Sequence, residues 1–266
     1  MNIRHLSAKF QKEKDLSAYW SHLKPDKNLT GGEEEKWKQQ AAFLDGISSQ
    51  NRVAIMLWNA FSNRFVFVSD KWGVLGGHTP EQYTGENGMS FWLSNIHPHH
   101  LDASLVTNEK GVQFFNSHPN IPVNNVLISV SQCLKKKNGQ CFEMLQQSTI
   151  VETDKKKQPL LVLSYINDIS HLKKPHCCDM VIACPGVAEI YSFDLESKVL
   201  GPKKGISDKE MDILNLLSQG LDSRKIANTL NLSPNTVDTH RRNLIKKTNC
   251  IDTTAVVTYA RLTGII

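Results

Sequence analysis

The chain has 266 residues, 40% hydrophobic and 21% charged, the composition of an ordinary globular protein of about two domains rather than a disordered one. No apolar run approaches the ~20 residues needed to span a bilayer. The opening segment MNIRHLSAKFQKEKD lacks the apolar core of a signal peptide, so a cytoplasmic protein with no membrane partner is expected. The six cysteines show no metal-site spacing, which fits reduced thiols and no metal.

Residues 1–44 read as an N-terminal helical segment of two helices separated by LTGG at 29–32. In the second, Trp37, Phe43, Leu44 and Ile47 form the apolar set, with acidic residues at the start. Residues 45–172 form the next unit. RVAIMLWNAF and RFVFVS are strand candidates, a mixed helical stretch runs to about Asn116, and three strands follow: NVLISVSQCLKKK, QCFEMLQQSTIVET and PLLVLSYINDI. KNGQ and DKKKQ join these three, the former with an Asn-Gly hairpin signal. The pattern predicts an α+β domain with a five-stranded antiparallel sheet. Residues 173–202 read as a linker carrying a β-hairpin, which either extends the sheet or braces the linker. GPKKG at 201–205 reads as a hinge.

Residues 203–266 read as an all-α unit of four helices. They carry ten basic and six acidic residues, a net charge of +4 against +1 for the rest of the chain, which suggests a polyanionic partner. Ser207 and Glu210 form a capping box, and Gly220 stops the first helix. Asp222 caps the second, RKIANTL, and Asn231 is its left-handed stop. Ser233 caps the third with Pro234 at its first position, and Asp252 caps the fourth. Two helices joined by so short a turn have helix-turn-helix spacing. On the third helix, Val237, Leu244, Ile245 and His240 face inward, while Asn235, Asp238, Thr239, Arg242 and Lys246 fall on one polar outer stripe suited to a major groove.

The segment ISDKEMDILNLLSQGLDSRKIANTLNLSPNTVDTHRRNLIKK resembles the LuxR/GerE-type DNA-binding domain over about 205–266. That resemblance implies base-edge contacts by Asp238, Thr239 and Arg242. It implies backbone contacts by Arg224, Lys225, Asn235, Thr236, Arg241 and Lys246, and dimerisation through the fourth helix. Two departures stand out: Thr248 and Cys250 replace the larger aliphatic residues usual in the family, predicting looser packing at the end of the third helix. Asp238 is open to two readings, an acceptor for cytosine N4 or an internal partner of Arg241 or Arg242.

Over about 51–172 the order of elements resembles a PAS sensor domain, with RFVFVSDKWGVLGGHTPEQY, FWLSNIHPHHLDASL and the last three strands as the matching pieces. The fold class expected is therefore multidomain: a PAS-like α+β sheet unit plus a four-helix helix-turn-helix unit. No cofactor signature is present and the ligand is unknown; Phe67, Trp72, Phe91 and Trp92 are the candidate pocket residues. His97, His99, His100 and His118 are read as structural or solvated. With no phosphate loop, kinase motif or catalytic triad pattern, no catalytic residue is assigned and the chain reads as a non-enzyme. The reading is a dimeric, sequence-specific transcription regulator on double-stranded DNA, with a small-molecule effector or RNA polymerase as further candidate partners. The alternative is a constitutive DNA-binding protein whose PAS-like unit serves dimerisation or protein contacts.

Overall fold

The computed structural model describes Pro25 and residues 28–47, 53–174, 178–185, 187–194, 196–202 and 205–266. The first N-terminal helix read from sequence lies almost wholly outside the described residues. The second, α1 (Gly31–Ile47), begins two residues earlier than expected, because Thr30 and Glu33 cap each other. Glu33 Oε2 accepts from the Thr30 amide at 2.8 Å, and Thr30 Oγ1 accepts from the Glu33 amide at 3.3 Å. This reciprocal cap outweighs the entropic cost of two glycines in the first turn. Trp37, Ala41 and Leu44 face inward at helical spacing, and Trp37 Nε1 donates to Glu152 at 2.9 Å. Phe43, expected in the apolar stripe, lies two positions past Ala41, on the far side, and is 66% exposed.

The strands are β1 (Ala54–Asn59), β2 (Arg64–Val68), β3 (Leu127–Lys135), β4 (Cys141–Thr153), β5 (Pro159–Asp168), β6 (Asp179–Cys184), β7 (Val187–Asp194) and β8 (Val199–Pro202). They form one antiparallel sheet ordered β2-β1-β5-β4-β3-β6-β7-β8. The first five are the unit the sequence predicts. The sheet does not stop at β3, however. β6 pairs with it from Ser131 opposite Asp179 to Leu127 opposite Ala183, so of the two roles expected for this segment it takes the sheet-extending one, and β6, β7 and β8 add three strands. The reason is in the residues: Met180, Val181, Ile182 and Ala183 are buried in succession, so the strand needs cover on both faces. Gly201 and Pro202, expected in a hinge, belong to β8.

Two-residue periodicity divides the sheet into a front and a back. The front is roofed by α2 (Trp72–Gly76), α3 (Pro80–Thr84), α4 (Gly88–Asn95) and α5 (Leu101–Ser117). An aromatic core of Phe65, Trp72, Tyr83 and Trp92 fills one end, with Trp72 edge-on to Tyr83 at 5.6 Å. The back has two covers. Helix α1 packs on Ile55, Leu57, Val66, Leu161 and Leu163. The C-terminal helices α6 (Asp208–Ser218), α7 (Ser223–Leu230), α8 (Pro234–Thr248) and α9 (Thr253–Thr263) share a core with Leu145, Ile169, Leu172, Val181 and Ala183. Gly264 ends α9 at φ +74°, and a Cβ there would lie 3.2 Å from the Ala183 Cβ, so both its backbone and its close seat on the sheet call for glycine.

Candidate nucleic-acid interface and the enclosed cavity

The four C-terminal helices end where side-chain chemistry ends them. Ser207 Oγ accepts from the Glu210 amide, and Glu210 Oε2 accepts from the Ser207 amide at 2.8 Å. Glu210 is 3% exposed and pairs with Lys247 of α8, which also donates to the Gly205 carbonyl at 2.8 Å. Burial alone would raise the Glu210 carboxyl, but the bonds from Lys247 and Ser207 outweigh it and hold the group below its ordinary range. Asp222 Oδ1 accepts from the Lys225 amide at 2.9 Å, starting α7. Asn231, at φ +53°, turns the chain out of α7. Ser233 Oγ accepts from the Thr236 amide at 3.0 Å and opens α8 with Pro234 behind it. Ile213, Leu214, Ile226, Ala227, Val237 and Leu244 are at most 1% exposed and lock the three helices together.

This packing turns one face of α8 outward. Asn235, Asp238, Thr239, Arg242 and Lys246 are all exposed, as are Arg224 and Lys225 in the first turn of α7. Thr236 is half-buried, its hydroxyl 2.8 Å from that of Ser233. Arg242 leans along its own helix, with Nε donating to the Asp238 carbonyl and Nη2 to Thr239 Oγ1, each at 3.3 Å. Asp238 accepts from Ser223 Oγ at 2.7 Å and pairs with Arg241 at 3.5 Å. Arg241 Nη1 also donates to Ser223 Oγ at 2.5 Å, and its guanidinium reaches Thr253 Oγ1 at 3.4 Å. Asp238 and Arg241 thus tie α7, α8 and α9 together, the internal reading of Asp238. His240 is half-buried with Nδ1 in the interior. Thr248 and Cys250 are not loosely packed: they are 3% and 0% exposed, with Lys173 bonding the Thr248 carbonyl and pairing with Cys250 in an isolated bridge.

The front of the sheet carries a partly open cavity of about 150 Å³. Of the four expected pocket aromatics, only Trp92 lines it. Phe67 points to the back, under α1, because the register shifts between Leu57 and Trp58 and breaks the alternation that would place it with Phe65 in the front core. Trp72, 1% exposed, is sealed in the aromatic core, and Phe91 packs on His78 at 5.0 Å and on Tyr83 at 4.9 Å. Much of the polar lining comes from residues that the sequence analysis did not single out, among them Ser104, Gln132, Gln146, Ser148 and Ser164. Gln146 Nε2 lies 3.2 Å from Ser148 Oγ and 3.3 Å from Ser164 Oγ, and Ser104 bonds Gln132. For Gln146 and Ser148 the signal was polar residues at alternate positions in the middle of β4. His100 is buried with Nδ1 accepting from the Cys133 amide at 3.1 Å, and His118 stacks on Phe114 at 4.4 Å.

Two helices joined by a three-residue turn, the second presenting a polar and basic face, define a helix-turn-helix unit. Residues 204–260 match the GerE family model, bacterial regulatory proteins of the luxR family. Among curated proteins, the chain is 40% identical over 68 residues to the regulatory protein SdiA of Escherichia coli K12, covering 26% of this chain and 28% of SdiA. It is 44% identical over 48 residues to the nitrate/nitrite response regulator protein NarP of the same organism, covering 18% and 22%. The chain thus spans only about a quarter of the length of these relatives. Among solved structures, a Vibrio cholerae VqmA–ligand–DNA complex is similar at 13% identity and TM-score 0.31, covering 82% of this chain and 85% of that one. The N-terminal domain of a Marinobacter aquaeolei diguanylate cyclase with PAS/PAC sensor is similar at 14% and TM-score 0.33, covering 45% and 96%. No helix among the described residues is long and apolar enough to cross a membrane.

Proposed function

We propose that this chain is a sequence-specific DNA-binding transcription regulator that works as a homodimer and responds to a small molecule held in the cavity on the front of its sheet. The observation that carries the reading is the outward stripe of α8, set on a capped helix-turn-helix scaffold within a luxR-family match. Helix α8 enters the major groove, where Arg242 and Thr239 read base edges and Asn235 and Lys246 fix the register on phosphates. Arg224, Lys225 and Thr236 add backbone contacts from the turn that faces the same side. Arg241 holds the scaffold and reaches phosphate only from there. Asp238 reads a base only if the complex draws it from Ser223. The lining of Gln132, Gln146, Ser148 and Ser164 supports the effector reading, because a dry structural core has no use for four amide and hydroxyl side chains on one face.

Selection of genomic fragments followed by titration against salt tests the DNA reading. Arg242→Ala should cost about 1–3 kcal/mol on the selected site and little on random DNA. Lys246→Ala should weaken both alike and reduce the salt slope by about 1. Equal affinity of wild type and Arg242→Ala for the selected site would remove Arg242 from the readout.

A further inference from the structure

One ion is placed where ordinary packing would not put it. The Lys173 side chain, between β5 and β6, is 0% exposed, and its partner Asp179 is 2% exposed. Nζ donates to Asp179 Oδ2 at 2.6 Å and to the Thr248 carbonyl at the end of α8, and sits 4.3 Å over the ring of Tyr259 in α9. Asn249 Nδ2 donates to the same Asp179 carboxylate at 3.1 Å, and the Asp179 amide donates to Ser131 Oγ of β3 at 3.2 Å. Two backbone bonds flank the ion: Lys174 N to Asn249 O at 2.9 Å and Ile251 N to Leu172 O at 3.0 Å. A buried, fully coordinated pair adds little net stability compared with an apolar contact, but it admits a single arrangement of its partners. Thr248 and Cys250, the two small residues at the end of α8, leave the room it occupies.

The strands behind this contact are also the wall of the cavity. On β3, Ile128, Val130 and Gln132 line the cavity, while Ser129 and Ser131 face the back. On β4, Gln146 and Ser148 line the cavity, while Leu145 joins the core of the C-terminal helices and Gln147 bonds the Leu262 carbonyl at 2.5 Å. We propose that Lys173 and Asp179 form a latch that fastens the helix-turn-helix unit to the back of β3, β4 and β6 in one orientation, making sheet and C-terminal helices a single cooperative body. On the effector reading above, on which this consequence rests, a change in the cavity then reaches α8 through two strands and one ion pair.

The test uses the full chain. Calorimetry of wild type should show one unfolding transition. Lys173→Met combined with Asp179→Asn removes both charges at nearly constant volume and leaves no orphan ion. It should split the transition in two. Hydrogen exchange at the Lys174 and Ile251 amides should rise at least tenfold, while the Ile226 amide, inside the helix-turn-helix core, keeps its protection. Should the double variant fail to fold, Asn249→Gly serves instead: it removes one donor to Asp179 and suits the φ of +54° there. Exchange at the same two amides should then rise by a smaller factor. Two transitions in wild type, a single transition with unchanged exchange in the double variant, or unchanged exchange in Asn249→Gly overturns the latch. Neither readout involves DNA or an effector, so failure of the proposed function would leave this result standing, and the reverse.

Discussion

Replacing Glu210 by Ala tests how the recognition helix is held. The carboxylate is buried and serves two elements at once: it completes the capping box of α6 and pairs with Lys247 of α8. Loss of the reciprocal cap costs about 1 kcal/mol. Removing one member of a fully buried pair costs about 3–5 kcal/mol, but Lys247 is 19% exposed and keeps the Gly205 carbonyl, so about 2 kcal/mol is the apt figure for that part. The sum, about 3 kcal/mol, corresponds to a fall in Tm of about 6–12 °C for a protein of this size melting as one unit. Glu210→Gln keeps an acceptor for Ser207 and should lose about half as much. Urea denaturation followed by circular dichroism measures both. Because the folded carboxyl titrates below its ordinary value, its contribution is complete at neutral pH and fades as the pH drops through that lowered range, below about 4.5. The gap between wild type and Glu210→Ala should therefore narrow in acid. A loss under about 0.5 kcal/mol at pH 7 would place Glu210 at an ordinary surface site and refute the reasoning.

Asn231→Ala should cost about 1 kcal/mol, since alanine resists the left-handed conformation at φ +53°, while Asn231→Gly should be near neutral; urea midpoints of the two variants decide it. His78 lies edge-on to Tyr83 and Phe91, and burial, reinforced by the charge of Lys137, lowers its pKa. The folded ring holds a proton less well than the ring in the unfolded chain, which takes one up below about 6.5, so stability should decline as pH falls from there, and His78→Phe should lose that part of the acid sensitivity. If midpoints of wild type and His78→Phe run parallel from pH 7 to pH 5, His78 does not titrate in this way.

Local chemistry made the C-terminal helices legible in the sequence. Ser207, Asp222, Ser233 and Asp252 each cap the helix they were expected to cap, because a capping side chain needs only its own next three residues. The first five strands were legible for a similar reason, since alternation and hairpin turns are short-range signals. The cavity was not. Trp72 and Phe91 looked like pocket residues because aromatics often line pockets, yet large rings also satisfy one another, and here they do. Among the residues that line the space are serines and glutamines whose meaning depends on which way the strand faces. The seat of the C-terminal helices was equally hidden: Thr248 and Cys250 read as defects of their own domain because Lys173, which bonds the Thr248 carbonyl and bridges to Cys250, lies about 75 residues earlier in the chain. Lys173 lies in the span read as a linker, and its partners Asp179 and the Thr248 carbonyl are six and 75 residues away.

The two-faced strands β3 and β4 set a limit on how this chain can be altered. A single-residue insertion or deletion in either strand would exchange the residues facing the cavity with those facing the C-terminal helices, putting Gln147 where Gln146 belongs and Leu145 into the polar lining. Loops around the sheet have room to change length; these two strands do not. Transplanting the C-terminal helices onto another sheet would for the same reason fail at any cut made only between residues 174 and 205. The graft has to carry the back-facing set with it, Ser131, Leu145, Gln147, Lys173, Asp179 and Val181, while leaving the alternate residues of the recipient in place.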